Sequence, residues 1–445
     1  MMHKLTRVFV AVSLSAQSLT VCGQTDSTKV NSLDFGLNFM THGEMVRGGM
    51  PVSSDVVKED KSNFLLGRTR LMVDYKRPYV EANAVLQNMR LWGSHGNMDL
   101  GLYEAWVKFS AIGLFGQVGR VALSYDDERI IGTNDFAMAS LSHDVVRIGY
   151  EGHGHKAHAF FAYNQNPENM YSNTYYKDGA QAYKSMVTVW YHYDVPKFPL
   201  GASLLFMHIG MQAGEPGYEV NPPHNVYQRM YGGYLNFCPK YVGVEASYYR
   251  QKGRMVDGLN MSSFKIDAWM FSGKVTVTPS KYYGFVLGYD HLSGDDYVPV
   301  PYGGMIGLPR HEVNKGFNPL YGSRTKFYGI MDYFYEKAYI NGFTPGLQNA
   351  FFSVTGKPYK KLDLMATYHY LAVATHLDGL SNTLGHCVDV MASFSFTKDI
   401  SLTAGYSLMF GSETMSRLKQ GGSSKNSQWG WFSLIVSPRL FTTKF

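Results

Sequence analysis

The chain has 445 residues, 45% of them hydrophobic and only 17% charged, with 33 Tyr, 27 Phe and 46 Gly. Its formal charge of +6 is too small to suggest a nucleic-acid partner, and no stretch beyond the amino terminus reaches the ~20 apolar residues that a spanning helix needs. A membrane crossing would therefore need a closed β-barrel, which satisfies every backbone group without water; the aromatic load and a mean hydropathy below zero suit one.

The amino terminus reads as a secretory signal. Lys4 and Arg7 supply positive charge, Val8 to Val21 an apolar core, and Val21-Cys22-Gly23 a small-residue exit. The competing reading lipidates Cys22, and Val21 immediately before it fits that poorly. Residues 1–23 are thus expected to be a signal peptide, whose removal takes away Lys4 and Arg7 and lowers the formal charge from +6 to +4. Residues 24–445 show no composition break and are expected to form a single β-barrel domain.

From there, period-two alternation over about ten residues recurs along the chain. Leu33, Phe35, Leu37 and Phe39 alternate with Asp34, Gly36 and Asn38, a pattern that needs a different solvent on each face of one sheet. Candidate strands begin near residues 30, 63, 79, 99, 114, 141, 156, 183, 199, 227, 240, 263, 281, 326, 346, 362, 384, 399 and 428. An outer-membrane barrel with both termini in the periplasm needs an even number, one fewer. Short turns at Lys76-Arg77-Pro78, Ser110–Gly113, Gly152–His155, Asp194–Phe198, Pro239 and Pro279-Ser280 must alternate with longer connections. That alternation survives only if residues 292–345 are one long outer loop. The expectation is an all-β, transmembrane antiparallel barrel of eighteen strands, with Lys326–Tyr335 a short hairpin over or into the pore. The last strand carries Trp429, Trp431, Ile435, Phe441 and Phe445 on one parity and ends in phenylalanine, as terminal strands of such barrels do.

The most informative stretch is 119–147. Arg120, Arg129, His143 and Arg147 bracket the acidic triplet Asp126, Asp127 and Glu128, with alternating strands on both sides. One reading is a solvated loop, in which an exposed pair contributes about 0–1 kcal/mol. The other is a wall of arginines oriented by carboxylates, a role that suits a planar, permanently charged fork.

The order of these residues, Gly119-Arg120, then Asp126-Asp127-Glu128-Arg129, then Asp144 and Arg147, resembles the alginate-export family of outer-membrane β-barrels. The likeness continues in Phe327-Tyr328-Gly329, Met331-Asp332-Tyr333-Phe334, Gly346-Leu347-Gln348 and Leu364 to Tyr370. It implies eighteen strands in the outer membrane of a Gram-negative bacterium and passive passage of anionic saccharides or small anions. An exporter would work with periplasmic machinery; a general porin would act alone.

Strand parity assigns Arg68, Arg70, Lys108, Arg120 and Arg147 to the lumen, with Arg129 in the loop above them and Lys184 and Lys265 on further strands. Asp74, Glu81, Glu104, Asp126, Asp127 and Glu128 are the carboxylates placed to orient them, and Asp267 is among the other lumen acids. These arginines either present donors to a passing anion or act as paired struts that stiffen the barrel. Channels select by charge at the constriction, not by total charge. An enzyme is not expected: Ser142-His143-Asp144 is contiguous, and neighbours on a strand face opposite ways. No spacing suits zinc, no cofactor is implied, and Cys238 and Cys387 fall near opposite ends of the barrel. A surface receptor built on the outer loops is the remaining alternative.

Overall fold

A computed structural model describes residues 31–48, 61–94, 99–167, 170–175, 183–214, 221–256, 263–295, 313–331, 344–377, 379–418 and 426–445. The proposed signal peptide lies outside them.

The chain forms one closed antiparallel barrel of eighteen strands. In order they are β1 (Ser32–Arg47), β2 (Lys61–Arg77), β3 (Val80–Leu91), β4 (Asp99–Ala111), β5 (Leu114–Val121), β6 (His143–Gly152), β7 (His155–Tyr163), β8 (Ser185–Asp194) and β9 (Leu200–Ala213). The second half runs through β10 (His224–Phe237), β11 (Val242–Val256), β12 (Ser263–Ser280), β13 (Tyr283–Leu292), β14 (Leu347–Tyr359), β15 (Leu362–Ala372), β16 (Thr383–Ser395) and β17 (Ile400–Gly411). The closing strand β18 has two parts, Asn426–Val436 and Arg439–Lys444, which pair with the two halves of β1 and seal the barrel. Closure leaves no unpaired edge, the condition for a sheet to sit in hydrocarbon.

Each sequential pair hydrogen-bonds in register, and tight turns alternate with long connections as the sequence predicts. One end carries the tight turns and both termini of the barrel; the other carries the long loops and is the outer end. The connection from β13 to β14 is the long one, and β13 pairs directly with β14 beneath it.

The two faces differ as the solvents do. Leu71, Leu100, Phe109, Leu114, Ile148 and Leu204 are exposed apolar residues on the outside. Inside, the inner half is charged, with ion pairs such as Lys357–Asp363 and Lys274–Glu245. The outer half of the lumen is different: Met186, Met207, Ile209, Met230, Ala268 and Met270 are wholly buried. A dry core therefore fills part of the barrel where water alone would be expected.

Three strand parities differ from the sequence reading, the second of them because of that core. Arg120 shares a face with exposed Leu114 and Val118, so it points outward, while Phe115, Gln117 and Val121 point in. Lys265 and Asp267 also point outward, because Ile266, Ala268 and Met270 occupy the inner face of β12. In β18, Trp429 and Trp431 are buried inside but Phe441 and Phe445 are exposed; the break at Ser437-Pro438 removes a ladder donor and resets the parity. The hairpin expected at 326–335 is absent over its described part. Arg324–Lys326 is a single 3₁₀ turn, residues 327–331 carry no strand, and 332–335 lie outside the described residues.

Candidate functional site

After Val121 the chain turns into the lumen instead of rising above it. Leu123, Tyr125, Ile130 and Ile131 of this loop, residues 122–142, are buried against the inward methionines and isoleucines of the wall. Apolar burial at about 25 cal/mol per Å² is the main force holding it there. A tight turn closes it: the Glu128 amide donates to the Tyr125 carbonyl at 2.9 Å and the Tyr125 amide to that of Ile131 at 3.2 Å. The turn places Asp126 and Glu128 at φ of 53° and 66°, a left-handed conformation unusual for a residue with a side chain.

The three consecutive acids radiate from this turn to three different partners. Asp126 accepts from Trp190 Nε1 on β8 at 3.1 Å. Asp127 takes the Arg129 amide and Nε at 3.1 and 3.2 Å. Glu128 accepts from Ser323 Oγ at 2.7 Å and Lys326 Nζ at 2.6 Å, both on the long loop. Burial raises the carboxyl pKa of Asp126 above its ordinary value.

Arg129 is buried at the centre of a network. It donates to Tyr328 Oη at 2.8 Å and Ser272 Oγ at 2.9 Å, and it lies 3.2 Å from Asp290 Oδ1 and 3.9 Å over the Phe327 ring. Burial alone would weaken its hold on a proton, but Asp290, Tyr328 and Asp127 outweigh that and keep its pKa well above the usual value. Asp290 is completed by Ser272 Oγ and Asn349 Nδ2 at 2.6 and 2.8 Å. On the neighbouring wall the Ile330 amide donates to Asp389 Oδ2 at 3.0 Å. Together with the Ile131–Tyr321 bridge, these bonds join the described part of the long loop to loop 122–142 as one inward body.

The far side of loop 122–142 is pinned to β2 by a residue that the sequence reading passed over. Asp135 accepts from Arg68 Nη1 at 3.1 Å and from Arg70 Nη1 at 2.7 Å. Arg70 is further held by Gln87, by Ser140 Oγ at 2.8 Å and by the Tyr103 ring at 3.8 Å. Burial would raise the Asp135 carboxyl, but Arg68 and Arg70 outweigh it and hold it below the ordinary range. Phe136 beside it packs on Trp431 at 4.9 Å, so the loop reaches β18 as well. The signal for Asp135 was indirect: two lumen arginines on a dry wall require a carboxylate nearby.

The six cations expected along a path therefore separate. Arg68 is fully buried, Arg70 and Arg129 nearly so, and all three are engaged by loop or wall carboxylates. Arg120 sits outside, 2.6 Å from Asp144. Lys108 and Arg147 stay half-buried on the inner wall, in one row with Gln117 between them in register. Both lie over the Phe115 ring, at 4.5 and 5.2 Å, and Arg147 also donates to Tyr125 Oη at 3.2 Å. Of the orienting acids, Asp127 does meet an arginine. Asp74 instead receives Asn83, Glu104 receives Trp106 and the Ala122 amide, and Glu81 stands across from Lys108 in register.

No family model matches the chain, and no curated protein does. Solved structures do: Pseudomonas aeruginosa OpdL at 12% identity and a TM-score of 0.60, covering 92% of this chain and 99% of that one. Acinetobacter baumannii OccAB1 follows at 12% and 0.58, covering 92% and 97%, and Pseudomonas aeruginosa OpdO at 13% and 0.58, covering 92% and 98%. At such identities the likeness is one of fold, that of an eighteen-strand outer-membrane barrel, and it gives no support to the alginate-export family. A closed barrel of this kind, apolar outside, belongs in the outer membrane of a Gram-negative cell.

Proposed function

We propose that the chain is a passive porin for small solutes, acting alone, with a mild preference for organic anions or short acidic saccharides. The observation that carries this reading is the inward body formed by loop 122–142 and the long loop, fixed to β2, β8, β12 and β18. A lumen narrowed in this way suits compact solutes. A threading polymer would have to displace buried ion pairs, so general diffusion fits better than the alginate export implied by the sequence resemblance. No periplasmic export machinery is then required. In this reading Arg68, Arg70 and Arg129 are struts, and the anion preference belongs to Lys108 and Arg147, the two of the six expected cations that stay half-buried on the inner wall. Phe115 beneath them offers an apolar surface for the carbon part of an organic anion.

Reversal potentials in planar bilayers under a potassium chloride gradient test this. Lys108→Glu with Arg147→Glu is expected to shift permeability toward potassium, and the shift should shrink at 1 M salt, where the screening length is about 3 Å. An unchanged reversal potential removes the selectivity assignment. Block of the wild-type channel by alginate oligomers, with no block by monosaccharide acids, would restore polymer export.

A further inference from the structure

The outward face of β10, β11 and β12 carries charge that solute passage does not use. Tyr231, Tyr248 and Trp269 are exposed there, and Trp269 stacks on His291 of β13 at 4.7 Å. Rings of this kind mark the rim of the apolar belt. Arg250 sits between Tyr231 and Trp269 in register. The next row toward the long-loop end aligns Arg229 with Lys252 and Lys252 with Asp267, and the row beyond it aligns Arg254 with Lys265.

Five cations thus surround one carboxylate among the described residues. Asp267 takes Arg250 at 2.9 and 3.1 Å and Lys252 at 3.6 Å, and Arg254 is held by Ser263 Oγ and its carbonyl, both at 2.9 Å. Arg229 and Lys265 have no side-chain partner among the described residues. They have no route inward either, because Tyr249, Gln251, Ile266, Ala268 and Met270 fill the lumen side. On β5 and β6, by contrast, Arg120 meets Asp144 one to one.

Height decides what meets this patch. One row is two residues, about 7 Å along a strand and about 5 Å once tilted by ~45°. The headgroup layer of one leaflet, half the difference between a bilayer of about 40–45 Å and its core of about 30 Å, is about 5–7 Å deep. The first row beyond Trp269, with Arg229 and Lys252, therefore stands at headgroup depth in the outer leaflet, and Arg254 and Lys265, about 10 Å out, stand at the outer margin of that layer. We infer that they form a binding site for the phosphates of a phosphorylated outer-leaflet glycolipid. Guanidinium forks grip phosphate oxygens bidentately, and the excess of four positive charges, five cations less Asp267, stands in for the divalent ions that otherwise bridge such headgroups. The inference rests on the outer-membrane placement and is independent of what the lumen passes.

The test uses the purified full-length barrel in detergent, with bound lipid counted by native mass spectrometry. The probes are bisphosphorylated lipid A, its dephosphorylated form, phosphatidylglycerol and inorganic phosphate, all in EDTA. Bisphosphorylated lipid A is expected to bind without added magnesium, and removal of its phosphates to abolish binding. Arg229→Ala with Lys265→Ala should weaken it about thirtyfold, near fivefold for each surface cation, while Arg120→Ala leaves it unchanged. Unaltered single-channel conductance shows that the double variant is folded. Equal binding by the double variant, equal binding of phosphatidylglycerol or inorganic phosphate, or a requirement for magnesium overturns the site. Cell fractionation separately tests the outer-membrane placement, so the two failures are distinguishable.

Discussion

Replacing Asp135 with asparagine is the most direct probe of the inward loop, because it removes a charge and keeps the shape. Asp135 is the carboxylate for Arg68, which is fully buried, and for Arg70, which is nearly so. Removing one partner of a buried pair costs about 3–5 kcal/mol. The Asp135 carbonyl still accepts from Arg68 and Ser140 Oγ still accepts from Arg70, which puts the loss at the lower end, about 3 kcal/mol. That is about a hundredfold in the docked-to-released ratio of this end of the loop. The Arg129 network holds the other end, so the barrel should stay folded while loop 122–142 opens partway. Single-channel recording should then show a larger, flickering conductance, with little change in barrel melting. The pH dependence has a definite sign. A carboxylate held below its ordinary pKa contributes stability above the unfolded value, near 4, and loses it as pH falls through the folded value. Wild-type conductance should therefore be flat from pH 7 to about 4 and rise only in stronger acid, and Asp135→Asn should show the raised conductance throughout. Wild-type conductance and noise in Asp135→Asn would refute the assignment of Asp135 as the pin.

Arg120→Ala should leave the reversal potential unchanged and lower stability by no more than about 1 kcal/mol, because its pair with Asp144 is outside the lumen and roughly half-exposed; thermal melting and ion selectivity check both. Gly322→Ala should separate the two inward loops, since a Cβ there would collide with the Arg129 and Glu128 carbonyls. The expected readout is a conductance increase like that of Asp135→Asn, and normal recordings would show that the loops yield without parting.

The barrel was legible in the sequence because it is written twice, in alternation along each strand and in the lengths of the connections between strands. The second record resolved the first: a strand-like segment near 326 was demoted by turn parity, and in the structure β13 pairs directly with β14 beneath it. Lys108 and Arg147 face inward as their parity predicts, on the Phe115 side of the wall. Arg68 and Arg70 also face inward, on a dry wall, and the lumen assignments failed at Arg120, Lys265 and Asp267. On the outer half of β12, Ile266, Ala268 and Met270 face inward while Lys265 and Asp267 face out, so the usual rule that charge marks the lumen reads the strand upside down.

That inversion has one physical source. A strand of an outer-membrane barrel passes through two solvents on its outer side, hydrocarbon and then headgroups, and its inner side has water only where no loop fills the lumen. At the level of the headgroups beside an inward loop, both preferences reverse together: the outer face wants charge and the inner face wants methionine and isoleucine. A charged residue within the last turn-length of a strand, opposite a run of apolar neighbours, therefore marks a plugged outer half instead of a selectivity ladder. The inward loop left this trace in the sequence on the walls around it, more clearly than in residues 122–142 themselves.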